Sequence, residues 1–125
     1  MRFINNEAIL YLNKQLKLPA RGCEQDWEIE LADASRLEEF ITFYEDAEIS
    51  NNKRFALMAL IIASLEDFSY VEPIDNKIWG RVSKLLCADR QLHQPTIDYW
   101  SVVDDGDNPE DSFKISRLIR SLKCN

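Results

Sequence analysis

Carboxylates are the side chains of this chain with the clearest chemical potential, and they are concentrated in one stretch. Residues 24–48, the acidic block, contain ten carboxylates and a single base, Arg36, so the block carries −9 while the whole chain carries −7. Carboxylate pairs can transfer protons, but in an acidic chain such pairs have almost no specificity. A dense negative surface attracts basic partners and repels nucleic acid. We therefore interpret the block as a binding surface, with a solvated, solubilising helix face as the alternative.

Aromatic residues lie among these carboxylates, and exposed aromatics beside charge are typical of interfaces. The candidate anchors are Trp27, Phe43 and Tyr44, although helical periodicity points Tyr44 inward. The candidate partner-binding charges of the block are Glu28, Glu30, Asp33, Glu38, Glu39, Glu45, Asp46 and Glu48. A second candidate patch outside the block consists of Asp104, Asp105 and Asp107.

Motifs for metal binding and catalysis do not fit this sequence. An EF-hand places Gly at loop position six and Glu at position twelve, but with Gly106 at six the twelfth residue is Ser112. His93 is the single histidine, too few for the usual zinc site with three scattered cysteines, and we expect it to be structural or solvent-exposed. Phosphate-loop, dinucleotide and nucleophile-elbow patterns are absent from the sequence. We predict a protein that is not an enzyme and has no metal or cofactor.

Basic residues cluster only near the carboxyl end. The exposed face of the last predicted helix carries Lys114, Arg117, Arg120 and Lys123. Five carboxylates between residues 104 and 111 precede this face, and phosphate binding requires a coherent excess of bases. We predict no direct contact with nucleic acid.

The length of the chain indicates a single domain, and its cysteine usage indicates a reducing compartment. A chain of 125 residues fits a single domain over residues 1–125. The three cysteines, Cys23, Cys87 and Cys124, are odd in number and widely spaced, which favours free thiols in a reducing cytoplasm, with Cys87 buried. We find no signal-peptide pattern, and the longest apolar run, Phe55 to Ala63, is too short to span a membrane.

Apolar periodicity predicts helices along most of the chain. Six helices are expected. The first covers about Asn5 to Lys17, the second is capped by Ser35 or by its rival Asp33, and the third covers about Asn51 to Asp67. The fourth is capped by Asp75, the fifth runs from Pro95 to about Val103, and the sixth covers about Ser112 to Lys123. Residues 27–31 alternate in polarity and are expected to be extended or a short helical lead-in. Residues 55–65 are apolar on every side, which is typical of a buried helix. The prediction is an all-α, single-domain bundle of about six helices around a central helix at about residues 51–67.

Several apolar patterns resemble those of a known class of proteins. They are the run from Phe55 to Asp67, Trp79-x-x-Val-x-x-Leu-Leu86, Leu92-His93, Thr96 to Trp100, and Phe113 to Arg120. Together they cover residues 51–120 and resemble the small, acidic, cytoplasmic immunity proteins that bacteria encode beside toxins, including those of contact-dependent growth inhibition. The resemblance implies a stoichiometric inhibitor of a cognate toxin, with a basic nuclease as the expected target. It implies no particular contact residue and no oligomeric state.

A second function remains open at this point. A helical adaptor would bind a peptide or a partner helix in an apolar groove beside the central helix. An inhibitor of a basic toxin should bind one partner tightly and with strong salt sensitivity, whereas an adaptor should bind more weakly through apolar contacts.

Overall fold

The helices predicted from apolar periodicity are present in a computed structural model, which describes residues 4–101 and 113–124. Within these residues there are seven α-helices and no strands, which confirms the all-α prediction. The helices are α1 (Asn6–Gln15), α2 (Trp27–Glu30), α3 (Leu37–Asp46), α4 (Asn51–Ser69), α5 (Asn76–Ala88), α6 (Arg90–Ser101) and α7 (Ser116–Arg120), with a 3-10 turn at Ala34–Arg36.

Helix α4 is the centre of the fold. Every residue from 55 to 66 is buried, and α1, α2, α3 and α6 all pack against this helix. Because α4 is apolar on every side, it can be stable only when other helices cover each of its faces. The prediction of a buried central helix is confirmed.

Side-chain caps fix the starts of several helices. The side chains of Asn5, Ser50 and Asp75 accept hydrogen bonds from backbone N–H groups in the first turns of α1, α4 and α5, as cap residues do. Before α3, Asp33 accepts bonds from both the backbone N–H and the hydroxyl of Ser35. Asp33 therefore caps the 3-10 turn that leads into α3, and Ser35 does not act as a cap.

Helix α2 settles one open prediction, and helix α6 corrects another. Residues Trp27–Glu30 form the short helix that was one of two expected conformations. Helix α6 begins at Arg90, so the predicted start at Pro95 is wrong. Pro95 cannot donate a backbone hydrogen bond inside a helix. The helix forms nonetheless because one face of it, including Ile97 and Trp100, is buried against the core.

A buried carboxylate fixes the position of the last helix. Glu66 of α4 is 8% exposed, and its two carboxylate oxygens accept hydrogen bonds from the backbone N–H groups of Lys114 and Ile115. These bonds satisfy donors just before α7 and stabilise the negative charge near its amino end. Helix α7 is shorter than the predicted helix at residues 112–123.

The cysteine prediction is wrong for two of the three residues. Cys87 at the end of α5 and Cys124 form a disulfide that closes 37 residues of sequence, and Cys87 is half-buried rather than fully buried. Cys23 is free and exposed. Wide spacing hid the pair because the approach of the two residues depends on how the last segment packs beside α5. The cysteine pattern therefore no longer supports a reducing compartment.

In the part of the chain that the structure describes, no helix is long and apolar enough to cross a membrane.

Candidate interaction surface

The carboxylates of α3 form a continuous exposed face. Leu37, Phe40, Ile41 and Tyr44 are buried on the inner side of the helix. The α3 acidic face, on the outer side, consists of Glu38, Glu39, Glu45 and Asp46. Glu48, just beyond the helix, is also exposed. This separation of faces follows the amphipathic pattern of the sequence.

Two arginines neutralise part of the α3 acidic face. Arg36 binds Glu39 with an N–O distance of 2.6 Å, and Arg81 of α5 binds Glu45 at 2.7 Å. These hydrogen bonds lower the pKa of both carboxyl groups below their usual range. The charges of Glu38 and Asp46 in turn help to raise the pKa of Arg81, although its bond to Glu45 contributes most. Arg81 therefore lies among several carboxylates of the face and reduces its negative potential.

Two further carboxylates of the acidic block have structural partners. The Glu30 carboxylate accepts a hydrogen bond of 2.9 Å from the backbone N–H of Asp26, at the start of α2. Asp33 is half-buried and caps the 3-10 turn, and its own backbone N–H donates to the Ser64 hydroxyl at 3.0 Å. Such local bonds stabilise the ends of helices and account for both residues without a partner protein.

An open pocket of about 420 Å³ lies beside α4, between α1, α2 and α6. Its inner part is lined by the buried side chains of Trp27, Phe55, Ala59 and Trp100. Its outer part, the pocket mouth, carries Glu24, Asp26 and Glu28, with Tyr99 on the α6 side. Tyr99 is 56% exposed. The arrangement combines an apolar interior with a negative entrance.

The carboxylates of the pocket mouth are less neutralised than those of α3. Among the described residues, no ion pair within 4 Å involves Glu24, Asp26 or Glu28. Burial raises the pKa of Glu28, and the neighbouring charges of Asp26 and Glu30 add to this effect. Burial also raises the pKa of Tyr99, with further contributions from Glu28 and Asp26. The carboxylates and the tyrosine ring thus share one electrostatic environment.

Glu24 differs from its neighbours because the backbone holds it in place. Its two carboxylate oxygens accept hydrogen bonds from the backbone N–H groups of Arg21 (2.6 Å) and Gly22 (3.2 Å). The bond from Arg21 is the largest cause of its lowered pKa. Gly22 has a φ of 89°, a conformation that favours glycine. The turn therefore fixes one negative charge at the pocket mouth.

Two of the three candidate anchors are core residues. Trp27 is 3% exposed, and its indole Nε1–H donates to Asn13 Oδ1 at 2.8 Å. Tyr44 is 9% exposed, and its hydroxyl shares a hydrogen bond of 2.7 Å with Nε2 of the buried His93. Burial removes Trp27 and Tyr44 from the surface that a partner could first contact. Phe43 is half-buried against the core and keeps a partly exposed ring.

His93 was predicted to be either structural or solvent-exposed, and the structure shows that it is a buried structural residue. It is fully buried within α6, whereas the predicted helix began only at Pro95 and left His93 outside it. The second candidate patch, Asp104, Asp105 and Asp107, lies outside the described residues. Within the described ranges, no group of three or more His, Cys, Asp or Glu side chains could hold a metal ion.

The residues that line the pocket could not be identified from the sequence, which suggested only an apolar groove beside the central helix as the site of an adaptor. The pocket lining comes from three distant parts of the chain, residues 24–28, 55–59 and 95–100, together with Ile4 and Ile9. The predicted helix from Pro95 to about Val103 already included Pro95 and Tyr99, but the sequence did not place that helix beside α4. Only the packing of α6 and α2 against the same face of α4 brings these residues together.

Comparison with known proteins yields no match: no family model, no curated protein and no solved structure resembles this chain significantly.

Proposed function

We propose that this chain is an immunity protein that binds a basic protein toxin stoichiometrically and covers the toxin's active or substrate-binding surface. The observation that carries the proposal is the pocket mouth, where three carboxylates without ion-pair partners among the described residues border an apolar pocket. The exposed carboxylates Glu38, Asp46 and Glu48 add further negative charge on and just beyond α3. A nuclease is the expected target, because its substrate groove must be positive to hold nucleic acid.

Charge and apolar area would contribute to different stages of binding. Long-range attraction between the acidic surface and a basic groove speeds encounter, and the rate falls as salt screens it. Short-range burial in an apolar pocket slows dissociation, because the strongest contacts of interfaces are usually desolvated anchors. A surface with both features suits an inhibitor that must capture its target before the target acts. Action in the cytoplasm is part of this proposal.

The proposal is tested by reconstitution with a purified partner. The tagged protein is used to capture proteins from lysate of its native source, with elution by increasing salt. The captured protein is then purified and titrated by calorimetry, and its enzymatic activity is followed during the titration. We expect one basic partner, one-to-one binding that weakens as salt rises, and loss of the partner's activity at equivalence.

The adaptor function remains the second candidate, because the pocket lies beside the central helix and has an apolar interior. It predicts binding that is insensitive to salt and that leaves the partner's activity unchanged. That outcome in the same titration would overturn the immunity proposal and leave the acidic surface with a solubilising role. Expression of the chain in cells that carry the partner adds an independent readout, since only an inhibitor should restore growth.

A further inference from the structure

The pocket beside α4 has the size and lining of a receptor for side chains. Its volume of about 420 Å³ falls within the roughly 300–1,000 Å³ typical of ligand pockets. Ala59 contributes a small side chain to a wall that also includes the bulky rings of Phe55 and Trp100. These buried apolar groups favour an apolar occupant, because filling the pocket removes more apolar surface from water.

The charges of the pocket mouth restrict what can enter. Asp26 is exposed and Glu28 half-buried, and neither has an ion-pair partner among the described residues. Tyr99 lines the same pocket as these two carboxylates, and its ring is partly exposed there. A guanidinium group suits this setting, because it can bond carboxylates through two parallel N–H groups while stacking on an aromatic ring. An anionic occupant would meet repulsion from three carboxylates.

We propose that the pocket receives an arginine and an adjacent apolar side chain from the partner protein, with the apolar group inside and the guanidinium at Asp26, Glu28 and Tyr99. The inference rests on the proposed function and deepens it, since it names the recognition element that a basic toxin would present. The chain's own residues 104–111, with five carboxylates, lack the complementary charge. Arg2 and Phe3 have the right chemistry and precede Ile4 of the pocket in sequence, so the test must include them.

The test uses a defined probe, N-acetyl-phenylalanyl-arginine amide, titrated into the full chain labelled with ¹⁵N. Indole N–H signals report on the site, because Trp27 and Trp100 line the pocket and Trp79 of α5 does not. We expect saturable shifts of the first two signals and little change at Trp79. The matched probe with citrulline in place of arginine has almost the same shape without the charge. It should bind about tenfold more weakly, as expected when a charge-assisted pair is lost.

Variants of the protein complete the design. The double variant Asp26→Asn, Glu28→Gln should weaken arginine-probe binding about tenfold and make the two probes nearly equivalent. Glu72→Gln removes a charge on the exposed loop after α4 and should change nothing. Unfolding curves of all variants test whether the fold persists, which we expect because these carboxylates are not among the buried residues.

Several results would overturn the inference. They include absence of saturable shifts at Trp27 and Trp100, equal binding of the two probes, and unchanged binding in the double variant. Indole shifts that follow protein concentration without probe would assign the pocket to a second copy of the chain. If Arg2→Ser, Phe3→Ser shifts these signals without probe and strengthens probe binding, the chain's own amino end is the occupant. Each of these results leaves salt-sensitive capture of a basic partner intact, so failure of the pocket and failure of the immunity function remain distinguishable.

Discussion

The α3 acidic face and the pocket mouth carry the same type of charge in different surroundings. On α3, Arg36 and Arg81 each bind a carboxylate directly. At the pocket mouth, Asp26 and Glu28 lack such partners among the described residues and border an apolar pocket. A count of carboxylates therefore does not measure the negative charge that is available to a partner. What matters is which carboxylates the fold has already paired.

The largest expected effect is the difference between charge reversals in the two regions. Asp26→Lys, Glu28→Lys should weaken binding of the reconstituted partner by roughly 3 kcal/mol, because these charges would become buried and paired in the complex. Glu38→Lys, Asp46→Lys should cost about 1 kcal/mol or less, as rim charges do. Calorimetry at fixed salt measures both losses. The two double variants have the same net charge, and Glu72→Lys is a single reversal outside both regions. Equal losses in the two regions would remove the distinction between them.

Removal of the disulfide should separate stability from binding. Cys87→Ser should lower the free energy of unfolding by about 2–4 kcal/mol, because the open chain regains the entropy of a long loop. Neither Cys87 nor Cys124 lines the pocket, so partner affinity should persist under conditions where the variant is folded. Urea denaturation gives the stability, and Cys23→Ser, which replaces the exposed free thiol, is the matched control. A loss of affinity in folded Cys87→Ser would show that the two properties are coupled.

The inner side of α3 should be structural, in contrast to its acidic outer face. Tyr44→Phe should cost about 1–3 kcal/mol of stability, because it removes a buried hydroxyl that bonds Nε2 of His93. Partner affinity should not change. Tyr70→Phe, at an exposed tyrosine, controls for loss of a hydroxyl. Reduced partner affinity in a folded Tyr44→Phe protein would contradict the division of α3 into two faces.

The same residue predicts a change of stability at alkaline pH. Burial, with the charge of Asp89 adding to it, raises the pKa of Tyr44 to about 12, from 10.0 for an ordinary tyrosine. The folded protein therefore retains a proton that the unfolded chain loses, so stability falls as pH rises through this interval. Wild type should lose stability between about pH 10 and 12 more steeply than Tyr44→Phe. Tyrosinate absorbance should show one late-titrating group that the variant lacks.

The smallest effect tests the neutralisation of the α3 acidic face. Arg81→Gln should change stability by less than about 1 kcal/mol, because the Arg81–Glu45 pair is partly exposed. It should also raise the association rate with the basic partner by a few-fold, since Glu38, Glu45 and Asp46 lose a neutralising charge. Stopped-flow measurements at low salt test this, and Arg117→Gln on α7 is the control with the same net charge. Equal rates for the two variants would mean that local neutralisation by Arg81 does not matter.

Much of the fold could be predicted because its determinants are local. The periodicity of α3 oriented Tyr44 correctly, and the apolar run of α4 identified the buried helix. Asp75 was recognisable as a cap, because a cap side chain bonds a backbone group only a few residues away. The start of α6 was mistaken because Pro95 is a local signal, whereas burial of the helix face depends on the rest of the protein.

The site was less predictable, because its properties depend on long-range contacts. Sequence identified the acidic block, but it could not show that Arg81, more than thirty residues from Glu45, would neutralise part of it. It also could not reveal that Trp27 is held in the core by Asn13. These contacts depend on how helices pack, and neither periodicity nor charge pattern specifies that packing.

The sequence by itself determined the all-α class, the central helix, the cap at Asp75 and the concentration of negative charge, because each follows from the types and spacing of neighbouring residues. Only the tertiary structure decided that this charge is divided between a partly neutralised face and a pocket mouth, and that Cys87 meets Cys124. The physical reason is the distance along the sequence over which each type of interaction acts. Hydrogen bonding within a helix acts over about four residues, whereas ion pairs, pockets and disulfides form between segments that only the packing of the core brings together.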